Sequence, residues 1–546
     1  MTVRDRLEAA LEGAVRKLGV AEVPDLELYR TKNRLHGDYA SGAGLKLARV
    51  LRRPPVLIAE ELAGELSDLA EAEVQAAGGY VNFRLRENWL RELVGEVAAA
   101  GPDYGGSDLG NGERVQVEFA SVNPTGPLHI GHGRGVVLGD ALSRVLEFTG
   151  HAVQREYYVN DKNTQSLLFG KSVYARLRGE EPPENGYRGE YVTELAELAR
   201  GQLPGIDGLP AEDAEAQVRR FAIDRMVERL RESVARLGVV YDEWYYESRL
   251  WEEELPQQAI RRLEETGQLV EREGAVWFRA DVPGWEQNDE DRVVIRSSGE
   301  PTYFASDLGY LLSKFEIRRF ERVIYVWGAD HHGYVPRMKA AAEALGIGAR
   351  RLVMILNQIV TLKTGRMSKR AGRFVTLDEL VDEVGTDSVR YFYLLRSPDA
   401  MMEFDLDLAL SQSNENPVYY AQYAHARLAN VEVFAAEHAA ELPAEADASL
   451  LTQPAELELA RQIAYWPDAV EDAARLMEPH RIPYFIHDLA DAVHGFYQAG
   501  NRDWKLRVVV EQEPELTRAR LELCRAARHT LKSALQLVGV SAPERM

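Results

Sequence analysis

Asn123-Pro124-Thr125-Gly126-Pro127-Leu128-His129-Ile130-Gly131-His132-Gly133 separates two stretches of different periodicity. Before it, Val115-Gln116-Val117-Glu118-Phe119 reads as a strand. After it, residues 131 to 149 read as a helix and Ala152 to Val159 as a second strand. The three make a βαβ unit, which implies a parallel sheet with ligands at the carboxyl ends of its strands. The glycines allow close backbone approach to a phosphate, and the helix N-terminus adds free N–H groups and partial positive charge. His129 and His132 are placed to stabilise charge developing there. The same spacing also suits loop histidines without a role, or half of a metal site. A metal needs further ligands, and no cysteine or acidic cluster lies near at a suitable spacing.

Outward from this unit, residues 166 to 285 read as mostly helical and charged, with Pro/Gly-rich interruptions at 181 to 189 and 203 to 210, and are expected to be an insertion. Strand character returns at Val293-Val294-Ile295, Val323 to Trp327 and Leu352 to Leu356, with helices from Phe304 to Phe315 and Val335 to Leu345, so the sheet is expected to resume at residue 293. Beyond Asp407 the pattern is helical throughout: 416 to 437, 455 to 477, 484 to 499 and 515 to 537. Upstream, Val3, Leu7, Leu11, Val15 and Leu18 define an amphipathic opening helix. A short α/β region follows it, ending in the alternating stretch Tyr80 to Leu85, helix 87 to 100 and a turn-rich run at 101 to 106.

The 546 residues exceed what one core accommodates, and 45% apolar with 28% charged residues is globular composition. A net charge of −22 would repel a polyanion at long range. Charges beyond roughly 8 Å are screened in physiological salt, so a local basic surface remains compatible with it. The single cysteine, Cys524, excludes an intrachain disulfide and a multi-cysteine zinc site. With no apolar leader or spanning stretch, the expectation is a cytoplasmic protein with no membrane association.

In its position after the first strand, the run Asn123 to Gly133 resembles the HIGH motif of class I aminoacyl-tRNA synthetases. That resemblance implies a second, lysine-bearing loop after the last strand. Gly365-Arg366-Met367-Ser368-Lys369-Arg370-Ala371-Gly372 is similar to the KMSKS loop. Flanking glycines and basic ends suit a mobile loop closing over a triphosphate, with Lys369 a point charge on the leaving pyrophosphate. Arg366 and Arg370 depart from the pattern, replacing the first lysine and the final serine. Some arginyl enzymes lack the loop's second lysine and carry a compensating one shortly before HIGH; this chain has Gly126 there and keeps Lys369. The resemblance places ATP on Pro127, His129, Gly131, His132, Met367, Ser368 and Lys369, with His129, His132 and Lys369 catalytic.

A guanidinium substrate calls for carboxylates presented in a plane, because bidentate charge-assisted bonds separate arginine from lysine. Glu118, at the end of the first strand, and Asp307, four residues after Tyr303, are candidates. The segments Glu118 to Asn123, Tyr303 to Asp307 and Trp327 to His332 are similar to the arginine- and ATP-binding segments of arginyl-tRNA synthetases. The resemblance implies Glu118, Tyr303 and Asp307 at the guanidinium, Asn123 at the α-amino end and His331 at the rim. The family's Tyr-Tyr-Val-Asn-Asp segment occurs as Tyr157 to Asp161, but the next residues lack the usual glycine. Asn163 is expected to replace it, since asparagine tolerates positive φ.

Ser413 to Arg427 resembles the start of the arginyl anticodon-binding domain, and Ser541 to Met546 its usual end. Tyr419, Tyr423, Arg427 and Met546 are candidate tRNA contacts, because aromatics stack unpaired bases and arginine pairs phosphates; tyrosines filling the bundle core would read the same way. Residues 1 to 106 resemble the arginyl N-terminal domain that contacts the tRNA elbow. Tyr80 and Asn82, alternate on one strand face, are placed to hold a flipped D-loop base.

The implied fold is multidomain α/β. It comprises an N-terminal α/β tRNA-elbow domain (1–106), a Rossmann-like parallel-sheet catalytic domain (107–407, helical insertion 166–285, loop 365–372) and an all-helical anticodon-binding domain (408–546). The implied reaction activates L-arginine with ATP and transfers it to tRNA(Arg). Mg²⁺ is expected with the nucleotide and structural zinc is not, a monomer is the default expectation, and the family commonly requires tRNA even for activation. A synthetase for another amino acid would leave Glu118 and Asp307 facing an unmatched substrate. A non-catalytic relative would have lost the histidines and Lys369, and a small-metabolite nucleotidyl transferase would not need two tRNA-facing domains.

Overall fold

The structure is a computed structural model that describes residues 2–282, 290–363, 375–439 and 441–546. It divides into two compact units. One comprises Met1–Ser107, Gln412–Met477 and Arg481–Met546; the other comprises Asp108–Ser411 with Glu478–His480.

In the first unit the helix Val3–Lys17 opens with a capping box between Thr2 and Asp5, and buries Val3, Leu7, Leu11, Ala14 and Val15 at helical spacing. Strands β1 (Tyr29–Arg30), β2 (Tyr39–Ser41), β3 (Ala72–Ala77) and β4 (Tyr80–Leu85) form an antiparallel sheet in the order β1-β2-β4-β3. Val81, Phe83 and Leu85 face the core, leaving Tyr80, Asn82 and Arg84 on the other face. The C-terminal part is helical: Pro417–His438, Pro454–Ala464, Trp466–Arg475, Arg481–Arg502 and Pro514–Leu537. The single helix expected over 455 to 477 is two helices. Pro467, in the first turn of the second, has no N–H to continue the ladder.

The N-terminal and helical parts of this unit interlock through a reciprocal exchange. Tyr39 donates its hydroxyl to buried Asp468 at 2.5 Å, and Tyr465 donates to buried Asp38 at 2.6 Å. The Trp466 indole donates to the Tyr104 carbonyl at 2.8 Å. Gly105, at φ 97°, lies so close to that indole that any Cβ would collide with it.

The second unit is built on a five-stranded parallel sheet of β5 (Arg114–Phe119), β6 (Ala152–Val159), β7 (Glu243–Tyr246), β11 (Arg322–Gly328) and β12 (Leu352–Asn357), ordered β12-β11-β5-β6-β7. Two expectations are corrected here. The stretch 166 to 285 is not purely an insertion, because β7 within it pairs with β6 as the sheet's edge. Nor does Val293 to Ile295 resume the sheet. As β10 (Arg292–Ile295) it pairs antiparallel with β9 (Ala275–Phe278), which pairs with β8 (Leu269–Arg272), in a separate three-stranded sheet. An antiparallel neighbour needs only a short return, whereas rejoining the parallel sheet needs a crossover. The parallel sheet resumes at β11.

From β5 the chain steps to β6 and β7 on one side, then returns to β11 and β12 on the other. The strand order therefore reverses at β5, and the crevice beyond the carboxyl ends of β5 and β11 is the topological switch point where ligands bind in such sheets. The helix Ile130–Phe148 packs over β5 so tightly that a Cβ at Gly139 would enter the Phe119 ring.

Candidate active site

A cavity of about 1020 Å³ opens at this switch point, lined by Glu118, His129, Gly131, His132, Tyr303, Asp307 and His331 among others. One end is formed by the start of helix Ile130–Phe148. His129 is its N-cap, and its Nδ1 accepts the backbone N–H of Gly131 at 3.0 Å and of His132 at 3.3 Å. His132 returns the contact, its Nδ1 accepting the His129 N–H at 3.3 Å, and the rings stack with centroids 3.4 Å apart. With both Nδ1 atoms accepting, each neutral ring carries its proton on Nε2. Burial lowers both pKa values, that of His132 to about 3, so the pair offers N–H donors and not cations. This end thus combines a helix N-terminus with two neutral donors, which suits a phosphate.

The other end is acidic and aromatic. Burial pushes the Asp307 carboxyl up to about 7; the Tyr334 hydroxyl, which it accepts, works against the shift, and Glu247 and Glu118 add to it. Glu118, buried at the end of β5, accepts from the Nζ of Lys314 at 2.5 Å. Tyr303 is half-exposed, and its hydroxyl oxygen meets the Thr164 N–H at 3.0 Å. His331 lies at the rim, 5.6 Å from the Trp327 ring, centre to centre.

Two expected contacts are not among the residues that line this cavity. Asn123 does not line this cavity; its amide donates to Gln165 at 2.8 Å and accepts from Asn163 at 2.6 Å. Pro127 lines a separate hollow of about 410 Å³ with Tyr191 and Arg236. Asn163 also corrects an expectation: its φ is −79° and not positive, because it serves as the N-cap of helix Thr164–Leu177, accepting from the Ser166 N–H at 2.8 Å. Met367, Ser368 and Lys369 lie outside the described residues. On either side of that segment, Val360 and Val375 both line the cavity, and the Val375 carbonyl accepts the Ile130 N–H at 3.3 Å.

Lys314, Glu156, Tyr334 and Glu247 are participants that the sequence reading missed. A signal for Lys314 existed: Asp307, Tyr310 and Lys314 recur at i, i+3 and i+7, one face of a helix.

The candidate tRNA contacts belong to the first unit. Tyr80 is exposed and Asn82 half-buried on the outer face of β4. On helix Pro417–His438, Tyr419 and Tyr423 stack 5.8 Å apart. The Arg427 guanidinium lies 4.4 Å over the Tyr423 ring and 4.6 Å over that of Tyr497, and donates to the Tyr423 hydroxyl at 3.0 Å. The C-terminal tail is tied to the same helix by His425, whose ring meets the Pro543 carbonyl at 2.9 Å, and it ends at half-exposed Met546.

Three family models match the chain: "Arginyl tRNA synthetase N terminal domain" over residues 2–85, "tRNA synthetases class I (R), catalytic domain" over 96–181 and 193–431, and "DALR anticodon binding domain" over 421–546. An arginine–tRNA ligase of Moorella thermoacetica is 44% identical, covering 98% of this chain and 97% of its own length. One of Bacillus subtilis is 42% identical over 100% of this chain and 99% of its own. The solved Thermus thermophilus arginyl-tRNA synthetase superposes with a TM-score of 0.79 at 25% identity, covering 100% of both chains.

Proposed function

The chain belongs to the arginyl-tRNA synthetase family, and from that membership we propose how its cavity carries out the family's reaction. The protein is an arginine–tRNA ligase: it aminoacylates tRNA(Arg) with arginine, and as a class I synthetase it uses ATP. In the first step the arginine carboxylate forms a bond to the α-phosphorus while the bond to pyrophosphate breaks, giving arginyl-adenylate. In the second a ribose hydroxyl of the tRNA 3′-terminal adenosine attacks the acyl carbon, loses its proton and displaces AMP. No side-chain nucleophile is needed; positioning and charge stabilisation carry the catalysis.

The nucleotide lies at the helix N-terminus, with the Nε2–H groups of His129 and His132 on the α-phosphate and Gly131 admitting the chain's close approach. Pro127 shapes that loop from its far side. Met367, Ser368 and Lys369 close over the triphosphate from the segment that follows Val360, with Lys369 on the leaving pyrophosphate. Among the described residues no three His, Cys, Asp or Glu side chains gather as a metal cage. Mg²⁺ would enter with the nucleotide, where it would supply charge neutralisation.

Arginine lies at the acidic end, with its guanidinium between Asp307 and Glu118, flanked by Tyr303 and with His331 at the rim. Asn123 follows the lining residue Val122 and turns to the α-amino group when arginine binds, through Oδ1, which has a second lone pair beside its bond from Asn163. The tRNA is held by Tyr80 and Asn82 of the elbow domain (1–106) and by Tyr419, Tyr423, Arg427 and Met546 of the anticodon domain (408–546), the chemistry residing in 107–407. The protein works as a cytoplasmic monomer, and no helix among the described residues is long and apolar enough to cross a membrane.

The observation that carries this proposal is one cavity with a phosphate-suited helix N-terminus at one end and a half-buried, tyrosine-held carboxylate at the other. The test is ATP–pyrophosphate exchange with each amino acid, with and without tRNA, using Lys369→Ala as control. Exchange with arginine alone, dependent on tRNA and lost in the variant, supports the proposal. Exchange driven by another amino acid refutes the carboxylate assignment.

A further inference from the structure

Asp307, Tyr310, Lys314 and Arg318 follow one another at intervals of three and four residues along helix Tyr303–Leu312 and the wider turn Ser313–Ile317 that continues it. Lys314 is fully buried. Its Nζ lies 2.5 Å from Glu118 and 3.9 Å from Glu156, and 4.1 Å from the ring centres of both Tyr310 and Tyr325. Glu156, also buried, takes the Arg318 guanidinium, the Tyr310 hydroxyl and, at 2.9 Å, the Gln116 amide. Two cations face two carboxylates, so the cluster as a whole is neutral. Glu118 is the carboxylate of this cluster that lines the cavity, whereas Asp307 lies outside it, held by Tyr334.

We propose that Lys314 is a positioning residue for arginine recognition: pairing with Glu118 from within the core, it fixes that carboxylate in the cavity wall and cancels its charge. Asp307 then supplies the charge that selects a guanidinium, and Glu118 an oriented acceptor for it. The inference rests on the reading that the guanidinium lies between these two acids. Without its cation, a buried carboxylate takes up a proton or turns to another donor, and either change removes the acceptor from the wall.

The test is a double-mutant cycle on arginine and ATP KM in tRNA-supported exchange, with Lys314→Met, Glu118→Gln, both together, and Asp307→Asn alone. Lys314→Met is expected to raise the arginine KM at least about 10-fold and to leave the ATP KM within about 2-fold. In the Glu118→Gln background the same change should alter the arginine KM less than about 3-fold, because its effect passes through Glu118. An equal factor in both backgrounds, or arginine and ATP KM rising together, overturns the proposal while an Asp307→Asn defect leaves the pocket reading intact. If Asp307→Asn and Glu118→Gln both leave the arginine KM unchanged, the pocket reading itself fails. Should Lys314→Met not fold, the double variant against Glu118→Gln decides alone, since it leaves no unpaired charge. Failure of the double variant to fold shows that the lysine serves the core independently of Glu118, and overturns the proposal.

Discussion

His129 and His132 cap one another: each ring accepts a backbone N–H from the other residue, and the two rings stack at 3.4 Å. The side chains proposed to hold the α-phosphate are therefore also the ones that start the helix. Substitution by alanine removes both roles at once, but asparagine at 129 separates them, because it is among the best N-caps and lacks the imidazole Nε2–H. His129→Asn is expected to keep thermal stability within about 1 kcal/mol of the parent and to lower kcat of arginine-dependent exchange by roughly 10²-fold or more. Retention of full kcat would assign the histidine to the cap alone.

Arginine recognition should titrate. Burial raises the Asp307 carboxyl to about 7; Tyr334 and Arg337 favour its charged form, and Glu247 and Glu118 oppose it. A guanidinium binds the ionised form, so binding expels a proton. The kcat/KM for arginine should then rise with pH, with a logarithmic slope approaching one below about 7 and levelling above it. The stability sign is the reverse: a carboxyl raised in the folded state contributes stability below its unfolded value of about 4, and that contribution is lost as pH rises through about 7. His132, lowered to about 3 by burial, titrates well below this range, and burial lowers His129 as well. Asp307→Asn should flatten the profile, and a wild-type profile already flat from pH 6 to 8 would contradict the assignment.

The Tyr39–Asp468 and Tyr465–Asp38 exchange ties the N-terminal sheet to the helices of its unit. Tyr39→Phe leaves a buried carboxylate short of a donor, and should cost about 1–3 kcal/mol in urea denaturation of that unit. Arginine and ATP KM should not move. Loss of exchange activity in a folded Tyr39→Phe protein would show that the contact does more than join the two parts.

Arg427 sits over two tyrosine rings with its guanidinium bonded to Tyr423. Stacking and phosphate pairing both depend on the planar fork, so Arg427→Lys should behave much like Arg427→Ala. Each is expected to raise the KM for tRNA by roughly 10-fold, the scale of one lost base–aromatic or ionic contact. Aminoacylation titrated with tRNA(Arg) measures it; an unchanged KM would leave Arg427 as a core-facing residue of the bundle.

Much of the molecule was legible because its signals are local. The βαβ unit announced itself through alternation in Val115 to Phe119, a glycine-rich turn and helical period after Gly131, and β5, β6 and helix Ile130–Phe148 follow it closely. What escaped depends on partners distant in sequence. Glu243–Tyr246 is four residues between charged helices and becomes a sheet edge only by pairing with β6. Val293 to Ile295 has strand character, but nothing in it states which sheet it joins.

The site divides the same way. His129, His132, Glu118, Asp307, Tyr303 and His331, from four separate elements, line one cavity. Lys314 is hard to single out in the sequence because a lysine in an amphipathic helix ordinarily faces water, and its burial depends on two glutamates contributed by different strands. Asn163 stands where the family often has a glycine, but its position before Thr164-Gln165-Ser166 carries the plainer signal of an N-cap.

The most direct test of a charge-selective pocket compares arginine with citrulline, which keeps its shape and loses its charge. In tRNA-supported exchange the parent enzyme should prefer arginine by about 10³-fold or more in kcat/KM, since citrulline would leave half-buried Asp307 without a cation. In Asp307→Asn that preference should collapse to within about 10-fold, chiefly through loss of arginine activity. If Asp307→Asn retained the parent's discrimination, the cavity's acidic end would not be where the guanidinium is read.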